Sequence, residues 1–435
     1  MYTYNNNYYT ATMRDTTERQ ALCGNAQADV CVIGAGLAGL STAWELVSRG
    51  QSVVLLDAGR VAWGASGRNG GFVLQGWSEG LAAIERRCGK PTAAALFKLS
   101  LEGVEIVRGM IAHHQLPGCT PTPGKLSVVR YEDGDNLQRV RDKMAADFDF
   151  HLDYLDRQAV REKLKTERYF QALRDNHGFH FHPLNYCLGL ARLIEQSGGK
   201  IHERSPMTAV ESRNGRHRVI TDQGTVDCAH VVYCCGGYGG PEFGKLRRAF
   251  LPIATYAVLT EHLGDRLAEA VCTSDAVGDN RRASDYYRIV EGDRLLWGGR
   301  ITTRNLQDEK RLGQLLTQDI LDVYPQLRGI RIDKAWSGLM GYARHKMPHI
   351  GPLGQGLWAC TSFGGHGMNT APIGARVIAE AICGETDRYR LFDAYGLEWN
   401  GGPLGPAAAQ TVYAGLKMMD MFQEKRSQHR ATHKN

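Results

Sequence analysis

Two unbroken apolar runs, VCVI at 30–33 and VVLL at 53–56, bracket a stretch in which Leu37, Leu40, Trp44 and Val47 recur at helical spacing. Short runs of this kind are buried strands, and the i, i+3, i+4 recurrence is the buried face of a helix. Arg49-Gly50 closes that helix. Further along, Pro183 suits a first helical turn, Leu188, Ala191 and Ile194 form a stripe, and Gly198-Gly199 ends it. Strand-like segments follow around 200–203, 209–211, 218–221 and 230–233. Alternating patterns at 125–130 (KLSVVR), 252–261 (PIATYAVLTE) and 285–300 (DYYRIVEGDRLLWGGR) predict sheet. GLWACTSFGGHGMNTAP (356–372) predicts a strand, a glycine turn and a helix from about Thr370. An amphipathic helix is expected over about 91–116, and a helix rich in Ala and Met over about 407–422.

Between the first strand and helix stand Gly34, Gly36 and Gly39, a G-x-G-x-x-G, and the second strand ends at Asp57. The first glycine permits the tight turn, the second admits a pyrophosphate to the backbone, and the third lets helix and strand pack closely. The helix N-terminus offers unpaired N–H groups to phosphate, and Asp57 is placed to accept from an adenosine ribose. The complete strand–turn–helix–strand–acid unit is the context that makes the motif a dinucleotide site. The motif does not choose between FAD and NAD. AWGASGRNGGF (62–72) bears on the choice: its backbone N–H groups, free of Cβ atoms, can line a far phosphate and a flavin edge, with Arg68 adding a cation and Asn69 an amide. The plain alternative is a flexible surface loop.

The totals narrow the class. A chain of 435 residues with 43% hydrophobic and 23% charged residues fits a two-domain globular protein. No stretch is long and apolar enough for a membrane span. The first 28 residues are polar, lack a signal-like apolar region and are expected to be a partly ordered arm. Eleven scattered cysteines without C-x-x-C fit a reducing cytoplasm. The net charge of +6 owes much to KRSQHRATHK (425–434); it is compatible with an anionic small substrate and is weak evidence for nucleic-acid binding.

Four blocks, the fingerprint, ASGRNGGF, HPLNYCLGLARLIEQSGGKI (182–201) and WSGLMGYARHKMPHIGPLGQGLWACTSFGGHGMNTAPIGARVIAEAI (336–382), resemble the D-amino-acid oxidase/glycine oxidase superfamily of FAD enzymes. Within it the chain is most similar to the γ-glutamylputrescine oxidoreductase-like branch of bacterial amine oxidases. The resemblance implies an α/β (α+β) fold, a Rossmann-type FAD-binding domain interleaved with an antiparallel-sheet substrate domain that roofs the flavin. The expected parts are an arm (1–28), an FAD-binding domain (29–85, 183–245 and 336–395), a substrate-binding domain (86–182 and 246–335) and a C-terminal helix with basic tail (396–435). Cofactor contacts implied are Gly34, Gly36, Leu37, Ala38, Gly39, Asp57, Ala58, Arg60, Ser66, Gly67, Arg68, Asn69, Gly70 and Gly71. Val210 is implied to meet the adenine through its backbone, Gly236 to follow the strand VVYCCGGYGG (231–240), and Gly365, His366, Gly367 and Met368 to adjoin the ring. Cys234 and Cys235 are expected to pack near the nucleotide rather than to form a redox pair.

The reaction implied is oxidation of a C–N bond, with hydride passing from a neutral amine to flavin N5 and water hydrolysing the imine. Catalytic candidates are Arg344, as a two-point carboxylate clamp, Lys346, His366, Tyr286 and Tyr256. Tyr287, Arg288, Trp336 and Tyr342 are further sheet or loop candidates. Related monomeric sarcosine oxidases hold flavin through a cysteine near the segment matching 338–342; none occurs here, so noncovalent FAD is expected. Their flavin-facing lysine is missing from RLLWGGRI (294–301), leaving Arg300 or Lys346 as substitutes, or an acceptor other than O2. The readings that compete with an amine or amino-acid oxidase are a dehydrogenase passing electrons to a quinone or carrier, an NAD enzyme and a non-catalytic flavoprotein. The expected partners are a small amine or amino-acid substrate and an electron acceptor. No metal is expected: HGFHFH (177–182) lacks accompanying ligands at metal spacing, and the pair His113-His114 ends the amphipathic helix over 91–116 and is expected to be exposed. The helix over 407–422 is expected to pack in the ordinary way, with a membrane or another subunit as the alternative contact.

Overall fold

The structure is a computed structural model that describes residues 3–282 and 285–432, the side chains through 427. Its contacts divide the chain into two units, each assembled from separated segments.

The first unit takes in residues 1–120, 182–253 and 339–403. Its centre is a six-stranded sheet in the order His349–Gly354, Leu357–Thr361, His230–Tyr233, Val30–Ile33, Val53–Leu56, Lys200–His202. Every join is parallel except the edge pair His349–Gly354 with Leu357–Thr361. Val30–Ile33 and Val53–Leu56 are buried along their whole length, the reason an unbroken apolar run is required there. Helices Leu37–Val47 and Gly367–Ile382 pack on each other, and Pro183–Gln196 packs on the first. His182 explains one histidine of HGFHFH: its Nδ1 accepts from Asn185 N–H (3.1 Å) and so caps Pro183–Gln196. A four-stranded sheet (Gly24–Gln27, Gly224–Cys228, Arg216–Thr221, Met207–Arg213) shares a core with Ile33 and Leu56.

Three expectations change. The arm is laid down rather than partly ordered: Tyr9 is fully buried, Asn7 caps Tyr8–Ala11, and Tyr4 Oη donates to the Val61 carbonyl at 2.7 Å. A polar run with spaced tyrosines supplies packing that average polarity hides. The helix expected over 91–116 is part of Leu81–His114, broken at Gly89 (φ 81°) just before Pro91, and it lies in the first unit. The helix expected from Thr370 starts at Gly367, because Ser362, Gly364 and Gly365 all take positive φ and reverse the chain sooner.

The second unit takes in 121–181, 254–338 and 404–435. Phe250–Thr260, Arg294–Thr302, Tyr286–Val290 and Ala276–Asp279 run antiparallel in turn. Thr122–Val128 then lies parallel to Ala276–Asp279 and antiparallel to Ala172–His180, so the sheet is mixed at one join. Tyr287 stacks on Trp297 (centroids 4.2 Å), and both meet Tyr324 edge-on at the end of helix Glu309–Val323. This fixes which sheet face carries that helix. Tyr286, one residue along, points to the opposite face, its ring lying where a Cβ on Gly298 would be.

Candidate functional site

The parallel strands Val30–Ile33, His230–Tyr233 and Leu357–Thr361 end on one edge of the six-stranded sheet. Gly34–Gly39, Cys234–Gly237 and Ser362–Gly367 leave that edge, the position at which α/β sheets bind ligands. Gly34 turns at φ 103°, its N–H donating to the Leu56 carbonyl at 2.7 Å. A Cβ on Gly39 would lie 1.8 Å from the Gly34 carbonyl oxygen, so helix Leu37–Val47 can approach its strand only with glycine there. Its N-cap, Gly36, has no side chain to cap with; the Leu37 N–H donates instead to Ser66 Oγ at 2.8 Å. Ala38 continues the buried first turn.

Asp57 follows the second strand. Its carboxylate accepts from the N–H groups of Ala35 (2.6 Å) and Gly59 (2.7 Å). Burial outweighs these bonds and pushes its pKa up to about 6. Ala58 is exposed, and Arg60 turns to the arm: it donates to the Thr17 carbonyl (2.9 Å) and lies over the Tyr4 ring. Glu203, fully buried, accepts from Val61 N–H and Arg19 N–H and draws in Arg60 at 3.4 Å. No spacing rule singles out Glu203, whose partners lie far away in the chain.

The glycine-rich loop is a braced turn. A Cβ on Gly67 would meet the Ala62 carbonyl oxygen at 2.4 Å, and Gly71 holds φ 76°. Asn69 Nδ2 donates to the carbonyls of Ala65 (3.1 Å) and Ser66 (3.0 Å), while its Oδ1 accepts from Gly71 N–H across Gly70. Arg68 Nε donates to the Trp63 carbonyl at 2.8 Å, and the guanidinium lies over the Trp63 ring. These side chains hold the loop's shape and leave its backbone to face a ligand.

The third segment is equally strained. A Cβ on Gly365 (φ 81°) would come within 3.0 Å of Met340 Sδ and Tyr342 Oη. His366 Nε2 lies 3.2 Å from the Leu74 carbonyl oxygen and 3.1 Å from that of Gln75, which makes this nitrogen the protonated donor. Gly367 and buried Met368 open a helix that no side chain caps. Its first N–H groups and the dipole they carry favour negative charge. Val210 packs on the cluster that holds Ile33 and Leu56, and a Cβ on Gly236 would meet open space. Cys234 is buried, its Sγ 3.7 Å from Thr42 Oγ1.

A family profile described as "DAO: FAD dependent oxidoreductase" matches residues 29–381. The chain belongs to this family. It is 32% identical over 399 residues to the gamma-glutamylputrescine oxidoreductase of Escherichia coli K12, covering 89% of this chain and 91% of that one. It is 31% identical over 373 residues (84% and 85%) to a probable oxidoreductase, OrdL, of Haemophilus influenzae. The fold is similar to that of the glycine oxidase of Bacillus cereus ATCC 14579 (TM-score 0.67, 20% identity, 84% of this chain and 98% of that one).

FAD is therefore the cofactor of this DAO-family oxidoreductase, and the residues present fit it. Two helix starts, the second without a side-chain cap, and a braced glycine loop offer donors on one sheet edge, without the Cβ atoms that would fill the cradle. Among the remaining candidates, Arg344 and Lys346 are exposed in the turn after Ile332–Ala343, Lys346 at φ 59°. In the second unit, Tyr256 pairs opposite Gly299, on the Trp297 side of the sheet, and its hydroxyl donates to the Arg304 carbonyl. His180 Nδ1 lies 3.1 Å from Arg288 Nη1, and its Nε2 bonds to the Ser274 carbonyl. Among the described residues no group of three or more His, Cys, Asp or Glu is arranged to hold a metal.

Proposed function

We propose that this oxidoreductase oxidises a C–N bond of an amine or amino acid: a γ-glutamyl diamine, a cyclic imino acid, an N-methyl amino acid or a D-amino acid. The observation that carries the reading is the uncapped start of Gly367–Ile382 beyond the positive-φ pair Gly364-Gly365, with His366 held as a donor to Leu74 and Gln75. Bound FAD would supply the two-electron acceptor for the hydride. The first-turn N–H groups after His366 stabilise the negative charge that follows reduction. Gly34–Gly39 and Asp57 hold the adenosine pyrophosphate half. Arg344 takes the substrate's carboxylate where there is one, Lys346 being the weaker anchor, and Tyr286 helps to orient the amine; Tyr256 does not, because it lies on the opposite face of the sheet with its hydroxyl committed to the Arg304 carbonyl. The amine binds deprotonated, so its nitrogen lone pair assists C–H cleavage without a strong protein base. The imine that leaves is hydrolysed by water.

O2 is the proposed acceptor. A second reading, electron transfer to a quinone or other carrier, is favoured by one observation: Arg300, on the strand that lacks a lysine, is committed to Asp319 at 2.8 Å and to the Leu315 carbonyl. Anaerobic bleaching of the flavin by a panel of the four amine classes tests both readings. Bleaching by one class with fast recovery in air supports the oxidase, and slow recovery supports the carrier-linked enzyme. A yellow protein bleached by no amine sinks the C–N chemistry.

A further inference from the structure

The C-terminal helix, Gly405–Thr432, buries its acids and leaves its largest apolar side chains exposed. Its two acids, Asp420 and Glu424, are each 6% exposed. Glu424 takes both Arg281 Nε (2.6 Å) and Nη2 (2.7 Å), Asp420 accepts from Arg282 N–H (3.1 Å), and Gln410 Oε1 accepts from Thr302 Oγ1 (2.9 Å). These bonds fix the rotation of the helix on its unit. What is left outward, with Leu404 just ahead of the helix, is Leu404 (75% exposed), Val412, Met418, Met419, Met421 and Phe422 (77% exposed). At 100° per residue, Val412, Met419, Phe422 and Arg426 fall within an arc of about 80°, and Met418, Met421 and Lys425 within an adjoining arc of about 60°, with exposed Thr411 between them. Water would be the worst solvent for this face.

We propose that the outward face of this helix docks on an anionic lipid surface. Charge makes the choice of occupant. Both acids of the 404–427 segment are turned inward and spent on Arg281 and Arg282, so the exposed side of the helix carries apolar groups, cations and the uncharged Thr411 and Gln423, and no carboxylate. Lys425 and Arg426 stand at the end of that same face, and in the sequence they open the basic run KRSQHRATHK. An interfacial helix needs this pair of features, apolar side chains to enter the acyl boundary and cations for the headgroups. A second copy of the chain, paired through this face, would bring the same cations and no carboxylate to meet them. No helix among the described residues is long and apolar enough to cross a membrane, so the contact is with the surface. The proposal is independent of the reaction.

Flotation of the full-length, FAD-loaded protein tests it, with vesicles of phosphatidylcholine alone or mixed with phosphatidylglycerol. About tenfold more protein is expected to float with the anionic vesicles, and less as salt rises. Phe422→Glu and Met419→Glu alter exposed side chains, leave the flavin spectrum and Tm unchanged, and should each cost about tenfold in flotation. Lys425→Glu with Arg426→Glu should erase the preference for anionic lipid. Absence of flotation, flotation indifferent to Phe422→Glu, or a doubled mass in light scattering that Phe422→Glu abolishes would each overturn the proposal, the last in favour of a second copy.

Discussion

The helices Leu37–Val47 and Gly367–Ile382 follow parallel strands of one sheet and pack on each other, yet their N-termini are built differently. The first is fitted by subtraction: Gly34, Gly36 and Gly39 remove Cβ atoms, and a hydroxyl from a distant loop, Ser66 Oγ, takes the Leu37 N–H. The second is fitted by strain: Ser362, Gly364 and Gly365 hold positive φ, and His366 is wedged against two carbonyls. A site made by subtraction tolerates no added atom. A site made by strain tolerates one at a cost. The two ends should therefore fail differently.

The largest effect is expected at the first helix. Gly39→Val would drive its Cβ into the Gly34 carbonyl, where the Cβ position is 1.8 Å from oxygen and backbone is all there is to move. A loss of about 4 kcal/mol or more is expected, read as colourless protein with a collapsed Tm. A yellow, stable Gly39→Val would break the comparison outright.

At the second helix, Gly365→Ala meets φ 81° and two side-chain ends, Met340 Sδ and Tyr342 Oη, that can yield. The expected cost is about 1–2 kcal/mol, with FAD retained and the rate of flavin reduction lowered. Loss of FAD as complete as in Gly39→Val would show that the two ends are alike after all.

This difference also explains what could be read in advance. The fingerprint was legible because each of its positions answers to backbone geometry, and backbone demands leave a fixed spacing of glycines and apolar runs. The residue pattern predicts the second helix from Thr370, whereas it starts at Gly367, because a chain reversal through Ser362 has no residue signature: serine at φ 65° is set by its surroundings. Side-chain partners were least legible. Arg60 meets Thr17 and Glu203, His182 caps a helix and meets Thr12, and the inward turn of Asp420 and Glu424 depends on Arg281 and Arg282. Such pairs join residues far apart in the chain, where periodicity carries no information.

A pH series sharpens the comparison at the first helix alone. Asp57 titrates near 6 in the folded chain against about 4 when unfolded. The raised value means that its protonated form favours the FAD-free fold at low pH, a contribution lost as pH rises through 6. Ribose hydroxyls donating to the ionised carboxylate would reverse that preference on binding. FAD affinity is then expected to climb by up to about tenfold per pH unit between about 4 and 6 and to level off above. Asp57→Asn should flatten the profile; an unchanged slope would move the proton to another group.

The smallest effect separates a cap from a ligand. The family resemblance implies Ser66 as a cofactor contact, but its hydroxyl already accepts from Leu37 N–H at 2.8 Å. If that bond caps the helix in both states, Ser66→Ala removes about 1 kcal/mol of stability with and without FAD. Urea unfolding of both forms would read this, and FAD affinity should change by less than about threefold, since both forms lose the same bond. A tenfold loss of affinity with unaltered stability of the FAD-free protein would instead make Ser66 a phosphate ligand. The first helix would then be fitted by subtraction alone, its N–H groups left for the cofactor.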